Sequence, residues 1–94
     1  MVQTVGKLNA LKISRPLGPG MYPDGAGLYL QVTSAGARSW IYRYQHSGKE
    51  RQMGLGSSSA VSLADARQKA AEARKQRAEG LDPIQARDAV RAAS

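Results

Sequence analysis

Three short segments of alternating polarity, joined by two four-residue turns, constrain this chain more than any other feature. Successive side chains of an extended strand point to opposite faces. Leu28-Tyr29-Leu30-Gln31-Val32-Thr33 therefore sends Leu28, Leu30 and Val32 to one side. Trp40-Ile41-Tyr42-Arg43-Tyr44-Gln45 does the same with Trp40, Tyr42 and Tyr44, and Glu50-Arg51-Gln52-Met53-Gly54-Leu55 with Met53 and Leu55. The connections Ser34-Ala35-Gly36-Ala37 and His46-Ser47-Gly48-Lys49 are too short for a crossover, so the three strands form an antiparallel meander.

A helix must cover the apolar side. After the polar loop Ser57-Ser58-Ser59-Ala60-Val61, the pair Ser62 and Asp65 resembles a capping box. From Leu63 to about Glu79 the chain has no Pro or Gly and is dominated by alanine and long charged residues, which are strong helix formers. Leu63, Ala66, Ala70 and Ala73 share one stripe, and Gly80 follows as a natural helix terminator. An alanine stripe lets a helix approach a sheet closely, with Trp40, Tyr42 and the strand leucines supplying the bulk. The expected fold is α+β: a three-stranded antiparallel sheet packed on one face by a C-terminal α-helix.

The flanks are less regular. Asn9 is placed to cap one helical turn near Leu8–Ile13, and Arg15-Pro16-Leu17-Gly18-Pro19-Gly20 then prevents any regular element. Met21-Tyr22 leaves room for a short extra edge strand, and Asp24-Gly25-Ala26-Gly27 reads as a turn. At the other end, Asp82-Pro83 looks like an N-cap followed by a first helical residue. The weaker helix after it, Ile84 to about Ala92, has little apolar content. Residues 1–80 are thus expected to form one domain, and 81–94 the start of a linker helix.

With 94 residues the chain suits a single domain with a thin core. It has no cysteine, which excludes disulfides and thiolate metal sites. No apolar run approaches the roughly 20 residues of a membrane span, and Met1–Lys7 lacks the hydrophobic stretch of a signal peptide. Neither a membrane nor a cofactor is expected as a partner.

Fourteen Lys and Arg against seven Asp and Glu give a formal net charge of +7 and a sequence pI near 10.3. That balance favours polyanions, because each neutralised phosphate releases condensed counterions. A sheet covered on one side by a single helix keeps a free face. By strand parity this face carries Tyr29, Gln31 and Thr33, then Ile41, Arg43 and Gln45, then Glu50, Gln52 and Gly54. Arg38 and Lys49 sit near the strand ends, and Arg51 lies close to a turn. Glutamine can pair bidentately with adenine and arginine with guanine, while flanking basic residues take phosphates. The candidate DNA-binding residues are therefore Tyr29, Gln31, Thr33, Arg38, Ile41, Arg43, Gln45, Lys49, Arg51 and Gln52.

Other patterns carry less. Gly54-Leu55-Gly56-Ser57-Ser58-Ser59 lacks the third glycine and the βαβ unit of a dinucleotide loop. His46, the sole histidine, reads as a solvated turn residue. Trp40, Tyr42 and Tyr44 read as core, and no activating constellation surrounds any tyrosine, so no catalytic residue is expected. Arg67, Lys69, Arg74, Lys75 and Arg77, interleaved with acids, read as a solvated helix face.

Five ordered blocks also resemble a known family. They are Asp24-Gly25-Ala26-Gly27-Leu28-Tyr29-Leu30-Gln31-Val32, Gly36-Ala37-Arg38-Ser39-Trp40, Tyr42-Arg43-Tyr44, Met53-Gly54-Leu55-Gly56 and Val61-Ser62-Leu63-Ala64-Asp65-Ala66-Arg67, with Gly80-Leu81-Asp82-Pro83 closing the match. Together they resemble the N-terminal arm-type DNA-binding domain of prophage integrases, which are tyrosine recombinases. The loop Gly56-Ser57-Ser58-Ser59-Ala60 departs from the aromatic and proline that relatives often carry there. The resemblance implies a three-stranded sheet backed by one helix, docked in the major groove of arm-type sites flanking the crossover region. It also implies a cytoplasmic bacterial setting, and a non-catalytic module followed by core-binding and catalytic domains. Double-stranded DNA and other recombinase subunits are the implied partners, and the isolated domain is expected to be a monomer. Two other readings of the residues stay open: a protein-interaction module with incidental charge, and a single-strand binder, for which only Tyr29 offers an exposed ring.

Overall fold

The computed structural model describes residues 8–93; Lys7, one of the basic residues near the N-terminus, lies outside them. The element order is α1 (Ala10–Ser14), β1 (Gly20–Gly25), β2 (Leu28–Val32), β3 (Arg38–His46), β4 (Lys49–Ser57), α2 (Leu63–Ala78) and α3 (Pro83–Ala93). The sheet is antiparallel in the order β1-β2-β3-β4. It has four strands where three were expected, so the extra edge strand is a full member spanning six residues. Nothing in Gly20-Met21-Tyr22-Pro23-Asp24-Gly25 alternates like a strand, and Pro23 argues against one in a sheet interior. At an edge the missing N–H of proline costs no ladder bond, and β2 supplies the template.

The predicted alternation holds in the three other strands. Leu28, Leu30, Val32, Trp40, Tyr42 and Tyr44 are buried on one face, against Ala66, Ala70 and Ala73 of α2. Trp40 is fully buried, and its indole Nε1 donates to the Val61 carbonyl at 2.8 Å, which satisfies its one donor. The β3–β4 hairpin closes through Ser47 and Gly48, both at positive φ. That is the type I′ geometry whose twist matches the strands. In β4, a bulge inserts Leu55 between Gly54, which faces Ile41, and Gly56, which faces Trp40. Leu55 is buried by this device.

Ser62 caps α2 by accepting from the Asp65 N–H at 3.1 Å. At its far end the Gly80 and Leu81 amides bond back to the Arg77 and Gln76 carbonyls. Three of the basic residues read as a solvated face instead clamp the sheet. Arg67 bonds Asp24, Arg74 donates to the Ala26 carbonyl, and Arg77 donates to the Tyr42 hydroxyl and the Gln45 carbonyl. Their long stems reach past the small alanines, which is why the stripe alone did not reveal them.

The segment after Gly80 is also more engaged than its apolar content suggests. Pro83 and Ile84 are buried, and so is Asp82. Asp82 accepts from the Tyr44 hydroxyl, from Arg51 and, at 3.1 Å, from the Ile84 N–H. Burial works against the charged carboxylate. The bonds from Tyr44 and Ile84, with the charges of Arg51 and His46, outweigh it and hold the carboxyl below its ordinary value. Burial, then the bond to Asp82, pushes the Tyr44 hydroxyl up to about 12.

These shifts have opposite signs in pH. A depressed carboxyl stabilises the fold above its unfolded value, about 3.9, and that contribution fades as pH falls through the native one. A raised phenol stabilises below about 10, and its contribution fades as pH climbs toward the native value. Urea midpoints measured across pH should therefore fall at both extremes. Asp82→Asn should flatten the acid limb and Tyr44→Phe the alkaline one. An acid limb unchanged in Asp82→Asn would remove this carboxylate from the explanation.

Candidate nucleic-acid interface

Cross-strand register defines the face of the sheet that α2 leaves uncovered. One row across it runs Pro23, Tyr29, Ile41, Gly54, and the next runs Met21, Gln31, Ser39, Ser57. Toward the β3–β4 hairpin, Arg43 faces Gln52 and Gln45 faces Glu50. None of these residues is fully buried. Of the ten candidate residues, Tyr29, Gln31, Ile41, Arg43, Gln45 and Gln52 are brought together here.

The other four lie elsewhere. Arg51 faces Tyr44 in the register, so it projects to the covered side, where it pairs with the buried Asp82. Arg38 shares the parity of Trp40 and donates to the backbone carbonyls of Ile13 and Arg15, holding the end of α1 against the sheet. Position beside a turn had suggested both as flanking cations, but strand parity sends them inward. Thr33 lies just past β2, and its hydroxyl accepts from the Ala37 N–H at 3.1 Å. Lys49 is exposed at the opposite end, beside the hairpin tip, and shares the covered-side parity of Arg51.

Arg43 is the only cation and Glu50 the only anion on this face among the described residues, and they form an ion pair. That bond, with the Glu50 charge, holds the Arg43 guanidinium proton even more firmly than usual. The guanidinium also lies over the Tyr29 ring, 5.1 Å from its centre. Its Nε is buried without a hydrogen-bond partner. The two charges on the face are thus paired with each other. Lys49, exposed at the hairpin end, shares the covered-side parity of Arg51; Lys12 and Arg15, both exposed, belong to the α1 segment that Arg38 ties down on that side. Lys12 and Arg15 were not among the candidates. Their signal was present in an N-terminal stretch with basic residues and no acid.

A polar sheet face that α2 leaves uncovered, on a strongly basic chain, suits a polyanion with readable edges. Comparison with known proteins gives the family. The model of a family described as an arm DNA-binding domain matches residues 4–90. The chain belongs to that family. The arm domain is 42% identical over 66 residues to an integrase of Shigella phage Sf6 and, to the same extent, to the prophage integrase IntS of Escherichia coli (strain K12). Each match covers 70% of this chain and 17% of the relative. An integrase of Enterobacteria phage P4 is 40% identical over 62 residues, which cover 64% of this chain and 14% of that protein. The arm domain therefore spans less than a fifth of the curated relatives it matches. No helix of the arm domain, among the described residues, is long and apolar enough to cross a membrane.

Proposed function

We propose that this arm domain binds duplex DNA by laying the uncovered sheet face in the major groove of arm-type attachment sites. In this reading it is the N-terminal module of a site-specific tyrosine recombinase acting in integration. The observation that carries the reading is the face itself: Tyr29, Gln31, Arg43, Gln45 and Gln52 share with Ile41 the face that α2 leaves uncovered. Glutamine and arginine are the side chains suited to base edges in that groove. Lys49, Lys12 and Arg15 are exposed and would take flanking phosphates, contacts that position a protein without specifying sequence. Because Asp82 anchors the first turn of α3 and Arg87 donates to the Gly54 carbonyl at 2.9 Å, α3 is held against β4 and would present a fixed exit toward the next domain and neighbouring subunits.

The test is a salt titration of binding to labelled duplexes, comparing fragments of the protein's own attachment region with scrambled ones. The expected result is a steep salt dependence for both and tighter binding to the attachment fragments. Arg43→Ala should cost about 1–3 kcal/mol on the specific duplex and little on the scrambled one. Lys49→Ala should weaken both and lower the salt slope by about 1. Equal affinity for attachment and scrambled DNA would overturn sequence-dependent reading by this face.

A further inference from the structure

Ile41 is an anomaly on the free face. It sits in the middle of the sheet, on β3, surrounded by hydrogen-bonding side chains and only partly covered. Its row is otherwise apolar or bare: Pro23 and Tyr29 on one side, Gly54 on the other. The Tyr29 ring is already occupied by Arg43, so it is not free to stack on a base. At Gly54 an added Cβ would meet nothing within 4 Å. A gap one side chain wide therefore opens beside the Ile41 methyls, and Gln52 lies diagonally across it. Nothing in the fold requires glycine there, since Gly54 has no positive φ.

We infer that Ile41 and the Gly54 gap receive the 5-methyl group of a thymine, so that the target carries an A·T pair at this position. The inference rests on the proposed reading of the sheet face as the DNA-binding surface. In the major groove a thymine presents an apolar methyl and its paired adenine presents the N7 acceptor and N6 donor. An aliphatic side chain beside a glutamine matches that pair of features. Cytosine lacks the methyl. Arg43, the side chain suited to guanine, is held toward Glu50 and away from the gap.

The test begins with selection of preferred sites by the arm domain from a randomised duplex library. Each thymine of the selected site is then replaced by deoxyuridine, which removes only the methyl. One such replacement should weaken binding about 4-fold, the effect of withdrawing one buried methyl-sized group. With Ile41→Ala that penalty should vanish. Gly54→Val, which fills open space, should keep the melting temperature and bind the uracil site better than the thymine site. Uracil tolerated everywhere by the wild type, or a penalty that persists in Ile41→Ala, would overturn this inference and leave the sheet-face reading intact. Failure to select any site would overturn both.

Discussion

Asp24→Ala is expected to lower the unfolding free energy of this arm domain by about 3 kcal/mol, read as a shift in urea midpoint. Asp24 is fully buried at the end of β1. Its carboxylate accepts from the Leu8 N–H at 2.9 Å and from Arg67 Nε and Nη2 at 2.9 and 3.0 Å. The same Arg67 donates to the Leu8 carbonyl. One carboxylate thus joins the segment before α1, the sheet and α2. Removing one partner of a buried ion pair typically costs about 3–5 kcal/mol. The lower figure applies because the Arg67 side chain is 35% exposed, so water recovers part of its charge. Asp24→Asn keeps an acceptor for Leu8 but loses the charge, and should fall between the two. Wild-type midpoints for both variants would show that the clasp contributes nothing to stability.

Gly27→Ala should destabilise the fold by about 2–4 kcal/mol, from left-handed backbone strain and overpacking together. Gly27 lies in the β1–β2 turn at φ +90°. A Cβ there would come within 2.7 Å of the Tyr42 ring and 2.8 Å of the Arg43 carbonyl oxygen. The second contact is backbone, so no rotamer change relieves it. Gly48 is the control: it has φ +77° but open space around its Cβ, so Gly48→Ala should carry only the conformational part, about 1–2 kcal/mol. Equal losses for the two variants would remove the close approach as a cause. Because Gly27 accepts the Arg43 N–H at 2.8 Å, the substitution should also weaken DNA binding through the strand that bears Arg43 and Ile41.

Most of the scaffold was legible because it rests on short-range periodicity. Leu28, Leu30 and Val32 alternate within one strand, and Ala66, Ala70 and Ala73 repeat within one helix. Ser62 and Asp82-Pro83 mark the starts of α2 and α3 by local hydrogen-bonding chemistry. The same parity brought Tyr29, Gln31, Ile41, Arg43, Gln45 and Gln52 to one face. It failed where a residue was judged by nearness to a turn instead of by its place in the alternation. Arg51, Arg38 and Lys49 are the cases, and all three have the parity of the covered side.

The chain by itself determined which faces are apolar, where strands turn and where helices begin, because these depend on groups within a few residues of one another. Only the tertiary structure decided what the charges do. Arg67 meets Asp24 across 43 positions and Arg51 meets Asp82 across 31, so neither pairing leaves a local pattern. It also made β1 a strand, since Gly20–Gly25 acquires extended structure from the ladder that β2 offers and not from its own alternation. The result is a basic chain whose uncovered sheet face carries one paired cation and anion, Arg43 and Glu50, among the described residues, because charge is summed along a sequence but placed by folding.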